Sequence, residues 1–150
     1  MYVIDASVQV SDLYTGDVHH EASRRLFEVI EAEGRLVICP EVLLPEVAAA
    51  IARATDDSDV ARRLVRSLRR IPCYRFVPVD KGLADLAAEL AAQHRIRGCD
   101  AVYVAVAYRL RIKLITWDKQ QRERAAGVVE VLTPAEELEM LNSGGRDQTT

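Results

Sequence analysis

The stretch MYVIDAS (1–7) decides the fold, because a short apolar run of the kind found in buried strands stops on a carboxylate, Asp5. The pattern returns in KLITWD (113–118), where an apolar run gives way to Thr116 and then Asp118. One such acid is explained by a helix cap. Two strands that both end on an acid indicate a fold that gathers negative charge in one place.

Strand-like and helix-like segments alternate along the rest of the chain. The predicted strands are YVID (2–5), RLVICP (35–40), YRFVPV (74–79), KLIT (113–116) and VVEVL (128–132). The predicted helices cover 7–14, 19–34, 45–54, 59–71, 80–98, 99–111, 118–127 and 134–141, with Gly98 as the stop of the fifth. This alternation predicts an α/β fold, with a mostly parallel central sheet of about five strands flanked by helices on both faces. We expect one domain over 1–141 and a disordered polar tail over 142–150.

Composition excludes several classes of protein. The 150 residues are 49% apolar and carry a net charge of -3, so a broadly basic nucleic-acid binder is excluded, although a local basic surface is not. No apolar run reaches the roughly 18 residues that a membrane span requires. The three cysteines show no paired spacing, which favours buried thiols over bridges or zinc ligands. These features predict a reduced, cytoplasmic protein.

Two further acids stand in apolar surroundings. Glu46 lies in LLPEVAAAI, in the first turn of the predicted third helix, and Asp100 opens the apolar helix DAVYVAVA. In open α/β sheets the working crevice lies beyond the carboxyl ends of the strands. We therefore expect Asp5, Glu46, Asp100 and Asp118 to meet at one edge of the sheet.

Taken singly, most of these acids have a structural explanation. Asp100 and Asp118 could serve only as N-caps, and Glu46 could be an ordinary first-turn glutamate. Asp5 is harder to explain in this way, because a carboxylate after a buried strand is rarely left without a partner. The joint pattern of four acids at one predicted edge favours a functional site.

Four carboxylates brought together repel one another and require a counter-charge. No lysine or arginine lies directly beside Asp5, Glu46 or Asp100 in the sequence. Oxygen-only ligation favours Mg²⁺ or Mn²⁺ over zinc. The sequence therefore predicts a metal-dependent phosphodiesterase, in which the metal activates water and stabilises charge on a phosphoryl oxygen.

In these four motifs and their order, the chain resembles the PIN-domain nucleases, and in particular the VapC-type toxins of toxin–antitoxin systems. The resemblance extends over residues 1–134. It implies a parallel sheet flanked by helices, Mg²⁺- or Mn²⁺-dependent cleavage of RNA, and a homodimer. It also implies a cognate antitoxin whose C-terminal segment covers the acidic cleft.

The resemblance also assigns roles to individual residues. Asp5, Glu46, Asp100 and Asp118 match the metal-binding acids of the family. Ser7 and Thr116 match hydroxyl positions that support the first and last acids, although Ser7 could equally be a helix cap. Gln9 and Gln121 depart from the family, since apolar residues are common at both positions. These departures concern packing and substrate fit more than the chemistry.

A possible RNA-binding surface lies elsewhere in the chain. The segment ARRLVRSLRR (61–70) places four arginines on one side of its helix: Arg62, Arg66, Arg69 and Arg70. Such a stripe can hold an RNA backbone. It can also be a solvated helix face or a contact to the antitoxin or a second subunit. Trp117 could stack on a base near the cleft or pack in the core.

Two other classes of function were weighed. A phosphotransferase of the haloacid dehalogenase type also places an aspartate after its first strand, but it requires a second aspartate where this chain has Ser7. The remaining alternative is a PIN-fold interaction module without nuclease activity. Metal binding that depends on Asp5 and Asp100 would separate a nuclease from such a module.

Overall fold

The computed structural model describes residues 1–144, and at its centre is one sheet of five strands. The strands are β1 (Tyr2–Ile4), β2 (Val37–Pro40), β3 (Tyr74–Val77), β4 (Lys113–Ile115) and β5 (Val131–Leu132). They lie in the order β3-β2-β1-β4-β5, and each neighbouring pair is parallel. The predicted α/β fold with a parallel five-stranded sheet is confirmed.

The helices follow the predicted alternation. They are α1 (Ala6–Leu13), α2 (His20–Ala32), α3 (Leu43–Thr55), α4 (Ser58–Leu68), α5 (Lys81–His94), α6 (Gly98–Leu110), α7 (Lys119–Ala125) and α8 (Pro134–Gly144). The prediction that Gly98 ends α5 is wrong, because Arg95 closes that helix in the left-handed conformation and Gly98 instead opens α6. Helix α8 runs three residues beyond the predicted end at Leu141, and the rest of the predicted tail, 145–150, lies outside the described residues.

Burial of the strands shows that helices cover both sides of the sheet. Every residue of β1 and β2 is buried, and successive strand residues point to opposite faces. Helix α6 packs against β1, β2 and β4 with an almost uniformly apolar surface, which explains why its sequence shows little polar periodicity. The expectation of buried thiols holds for Cys39 but fails for Cys99, which is exposed at the start of α6.

The order of the strands determines where the site lies. From β1 the chain moves to β2 and β3 on one side, and it then crosses over to β4 and β5 on the other. The carboxyl ends of β1 and β4 therefore flank the point where the strand order reverses, which is the usual ligand position in open α/β sheets. No helix among residues 1–144 is long and apolar enough to cross a membrane.

Candidate active site

Asp5 is the most enclosed of the four predicted acids, with 5% of its surface exposed. It leaves β1 and caps α1, and its Oδ2 accepts hydrogen bonds from the backbone N–H of Ser7 (3.0 Å) and from the hydroxyl of Thr116 (3.1 Å). Burial raises the pKa of Asp5, and the bonds from Ser7 and Thr116 oppose that rise. Within residues 1–144, Asp5 has no cationic partner. It is a buried carboxylate held by neutral donors.

The two predicted hydroxyl positions connect the ends of β1 and β4. The hydroxyl oxygens of Ser7 and Thr116 lie 3.3 Å apart. Ser7 Oγ also accepts the backbone N–H of Trp117 (3.1 Å), and Thr116 Oγ1 accepts that of Asp118 (3.0 Å). Thr116 thus contacts both Asp5 and the segment that carries Asp118, so it fixes the position of the first acid relative to the last.

Asp118 and Asp100 share a counter-charge that the sequence analysis missed. Arg97, the residue before α6, donates from Nε to Asp100 (2.6 Å) and from Nη2 to Asp118. Burial raises the pKa of Asp100, and the Arg97 guanidinium opposes that rise. For Asp118, burial is outweighed by the backbone N–H of Gln121 (2.8 Å) and by Arg97, so its pKa is lowered. Asp118 is also the N-cap of α7, so the structural interpretation holds for it.

Glu46 approaches the same edge from the first turn of α3. Its carboxylate accepts a hydrogen bond from the hydroxyl of Tyr103, which lies three residues after Asp100 on α6. Burial raises the pKa of Glu46, and the Tyr103 hydroxyl opposes that rise. Tyr103 is fully buried, so it gives Glu46 a fixed orientation.

The charges of neighbouring acids act on Glu46, Asp5 and Asp100. The charges of Asp5 and Asp100 raise the pKa of Glu46, and the charge of Asp118 raises those of Asp5 and Asp100. Sequence reasoning missed Arg97 and Tyr103. Each lies three residues from Asp100, a spacing that brings side chains together on a helix, and that signal could have identified both.

The suitability of this edge for a metal ion rests on the donor chemistry. Carboxylate oxygens are the ligands that Mg²⁺ and Mn²⁺ prefer, and the burial and mutual repulsion of these acids would be relieved by a cation. In the described part of the chain, however, no three His, Cys, Asp or Glu side chains are grouped closely enough to hold one. Arg97 instead supplies positive charge to Asp100 and Asp118. The counter-charge of Asp100 thus comes from a residue three positions before it in the sequence and not from an adjacent one.

The two glutamines that depart from the family are both buried. Gln121 donates to the backbone carbonyl of Asp100 (3.3 Å) and so supports the floor of the site. Gln9 accepts from the hydroxyl of Tyr74 and contacts Asp12 (3.5 Å). Both positions therefore carry polar contacts where an apolar side chain would only pack.

All four arginines of the predicted stripe are exposed, but α4 ends at Leu68, so Arg69 and Arg70 lie in the turn that follows the helix. Arg62 pairs with Asp59 at 2.5 Å, while Arg69 lies 3.5 Å from Glu41 and stacks its guanidinium over Phe76. Neither pair is buried, so each contributes little to stability. These contacts do not assign the stripe to a partner.

The fold defines a class: a parallel α/β protein in which acids such as Asp5 and Asp118 follow the strands beside the topological switch point. The sequence profile of the PIN domain matches residues 2–127. The chain belongs to the PIN domain family, as the four motifs predicted. No curated protein matches the sequence.

Several solved structures share the fold. VapC20 of Mycobacterium tuberculosis, described as a sarcin–ricin loop cleaving toxin, superposes with a TM-score of 0.73 at 23% identity, over 87% of this chain and 98% of that one. A toxin–antitoxin complex from Klebsiella pneumoniae gives a TM-score of 0.63 at 19% identity, over 89% and 98%. FitAcB from Neisseria gonorrhoeae gives 0.68 at 20% identity, over 90% and 99%.

Proposed function

We propose that this protein is a metal-dependent endoribonuclease that acts as the toxin of a type II toxin–antitoxin pair. The observation that carries the proposal is a chain of contacts: Arg97 joins Asp100 to Asp118, and Thr116 joins Asp5 to the backbone of Asp118. We propose that these acids and Glu46 form one four-carboxylate site. The family and the fold of VapC20 support the proposed function, since that neighbour is described as an RNA-loop cleaving toxin.

Each acid has a proposed role. Asp5, Asp100 and Asp118 would hold Mg²⁺ or Mn²⁺, and Glu46 would act as a further ligand or position the attacking water. When bound, the ion supplies an activated water and stabilises negative charge on the scissile phosphate. Ser7 and Thr116 keep Asp5 oriented, and Tyr103 does the same for Glu46. Such outer contacts fix the direction of a ligand and contribute to its affinity.

Arg97 has two possible partners in this proposal. It lies against Asp100 and Asp118, and 56% of its side chain is exposed, so it can swing away at little cost. Once released, its guanidinium is suited to bidentate contact with a phosphate of the substrate. We propose that Arg97 neutralises Asp100 and Asp118 when no metal ion is bound. When an ion and RNA are bound, Arg97 contacts the RNA backbone instead.

Cleavage of RNA by the purified chain tests the proposal. We expect cleavage with Mn²⁺ or Mg²⁺ and none after chelation with EDTA. Asp5→Asn should lower the rate by more than about a hundredfold, because loss of an outer contact alone costs about 10–100-fold. Asp85→Asn, an exposed acid paired with Lys81, is the matched control and should cleave at the parental rate. Cleavage that persists in EDTA or in Asp5→Asn would contradict the proposal.

The partners follow from the same proposal. We propose a cognate antitoxin that covers the acidic cleft, supported by a structural neighbour that was solved as a toxin–antitoxin complex. The homodimer remains a prediction that size-exclusion chromatography with light scattering can check. Co-expression with the product of the adjacent reading frame should suppress both cleavage and growth arrest.

We propose that the exposed arginines at the end of α4 and in the turn after it contact the RNA backbone. A triple Arg66→Ala, Arg69→Ala, Arg70→Ala variant should bind RNA a few-fold more weakly, with a shallower dependence of affinity on salt, by about one in slope for each lost phosphate contact. An unchanged salt slope would assign the stripe to solvent or to a protein contact.

A further inference from the structure

A groove runs from the acidic edge along α1 and α3. It has a volume of about 650 Å³, and Ser7 and Glu46 lie on its wall beside the catalytic acids. Most of the remaining wall is apolar, and two aromatic side chains, His19 and Trp117, form one end of it. The groove is thus continuous with the proposed nuclease site.

Trp117 is held firmly at this position. Its indole N–H donates to Ser23 Oγ (2.8 Å), which in turn lies 2.6 Å from Ser11 Oγ. Its backbone N–H donates to Ser7 Oγ. Since Ser11 and Ser23 are fully buried, the indole is fixed to the core at both its ring and its backbone. In the sequence Trp117 stands between Thr116 and Asp118, two proposed site residues.

His19 extends this aromatic surface into solvent. Its ring stacks on the indole of Trp117 with centroids 3.9 Å apart and planes 11° apart. His19 is an exposed residue of the loop before α2, and its backbone N–H is held by Asp17 (2.8 Å). One face of the imidazole covers the indole, and the other is available to a flat ring.

RNA at an acidic site needs attachment that does not depend on charge. The four carboxylates repel a phosphate backbone, and the net charge of the chain is also negative. Stacking of a base on an aromatic ring supplies attraction without charge and accepts every base. Arg53, also on the groove wall, provides a cation for an adjacent phosphate.

We propose that His19 and Trp117 form a base-stacking subsite, in which an unpaired base next to the scissile phosphate lies on the outer face of His19. The proposal rests on the proposed ribonuclease function and names the contact that places the substrate. A stacked base requires single-stranded or splayed RNA, because a paired base in a helix has no free face.

Binding can be measured at this position because Trp117 is the only tryptophan in the chain. The probe is an oligoadenylate of about six nucleotides, a length within the site size of single-strand binders. It is titrated into the Asp5→Asn protein, so that cleavage does not interfere, and Trp117 emission and calorimetry are recorded. We expect a saturable change in emission, and no such change with an oligomer of abasic ribose phosphate.

Variants of His19 separate stacking from other contacts. His19→Ala should weaken oligoadenylate binding by about tenfold, within the range found when stacking aromatics are removed. His19→Phe keeps a flat ring and should bind nearly as well as the parent. His94→Ala is the matched control, because it removes a histidine from the end of α5, outside the groove. Circular dichroism confirms that each variant is folded.

Three results would overturn the subsite. The first is oligoadenylate binding by His19→Ala as tight as that of the parent. The second is a response of Trp117 to the abasic oligomer equal to that with bases. The third is an emission change with an amphipathic leucine–lysine helical peptide and none with RNA, which would assign the groove to a protein partner. A chain that binds RNA in this way but never cleaves it would refute the proposed function and leave the subsite intact.

Discussion

Both edges of the sheet contain buried carboxylates, and only one edge neutralises them fully. At the amino edge Glu137 is 1% exposed and accepts from the hydroxyl of Tyr2 (2.6 Å) and from Lys113 Nζ (2.8 Å). Arg35 completes this group by donating to the Tyr2 oxygen (2.7 Å). At the carboxyl edge Arg97 pairs with Asp100 and Asp118, while Asp5 and Glu46 have no ion pair within residues 1–144 and accept from neutral donors.

The two edges differ in charge compensation more than in cavity size. The amino edge borders the larger cavity, about 790 Å³ against about 650 Å³ for the groove beside the acids. Yet its buried acid has its own cation, as expected of a structural ion pair. Acids left with unmatched charge destabilise the folded chain, and such groups cluster at functional sites. Variants at each edge test whether a buried acid with its own cation is structural and acids without one are functional.

The largest effect on stability is expected from Glu137→Gln. Neutralising Glu137, the buried partner of the pair, leaves Lys113 with only the exposed Glu130 at 3.6 Å and costs about 3 kcal/mol in the free energy of unfolding. Urea denaturation measures this loss. Glu139→Gln, an exposed glutamate on the same helix, should stay within about 0.5 kcal/mol of the parent. If Glu137 is purely structural, the rate of RNA cleavage per folded molecule is unchanged in Glu137→Gln. A lower rate per folded molecule would show that the amino edge also takes part in cleavage.

At the carboxyl edge, Thr116→Val keeps the shape of the side chain and removes its hydrogen bonds to Asp5 and to the backbone N–H of Asp118. We expect the RNA cleavage rate to fall by about 10–100-fold. Thr133→Val is a close match, because Thr133 is also buried and follows a strand, but it caps α8 with Glu136 instead of contacting an acid of the site. That control should lose about 1 kcal/mol of stability and no activity. Equal rates for the two variants would show that Thr116 does not position Asp5.

Arg97→Gln tests the one cation of the acidic edge. Without the competing guanidinium, Asp100 and Asp118 should bind Mn²⁺ about tenfold more tightly, as judged from the modest strength of exposed ion pairs. Calorimetry gives the affinity without reference to cleavage. Arg109→Gln removes the same charge from the other end of α6 and should leave the affinity unchanged. Absence of Mn²⁺ binding in both the parent and Arg97→Gln would favour the interaction module without nuclease activity.

The sequence was sufficient to predict the sheet and the strand ends that Asp5 and Asp118 follow. An apolar run that ends on Asp5 or Thr116 marks the carboxyl end of a buried strand, and parallel strands bring those ends to one edge. Helix ends were less predictable. Asp56, Arg95 and Arg111 all take the left-handed conformation that glycine usually supplies, so a search for glycine stops misplaces the end of α5.

The charge compensation could not be predicted in the same way. Arg97 reaches Asp118 across 21 positions of sequence, and Tyr2 reaches Glu137 across 135. Such pairs depend on the packing of elements that are remote in sequence, and composition does not encode them. The fold explains why the two edges differ in charge compensation. The sequence alone identifies the acids but does not show which of them has a cation beside it.

The smallest expected effect is a gain in stability from Asp5→Asn, opposite in sign to the loss from Glu137→Gln. Burial raises the pKa of Asp5, so its charged form is less stable in the folded chain than in the unfolded one. The neutral amide avoids that cost and should raise the free energy of unfolding at neutral pH in EDTA. The gain should shrink as the pH falls, because the aspartate then becomes protonated and loses the same penalty. Urea denaturation at neutral and acidic pH measures both, with Asp85→Asn as the exposed control. A destabilised Asp5→Asn would mean that the hydrogen bonds from Ser7 and Thr116 outweigh the unmatched charge, and that Asp5 is as structural as Glu137.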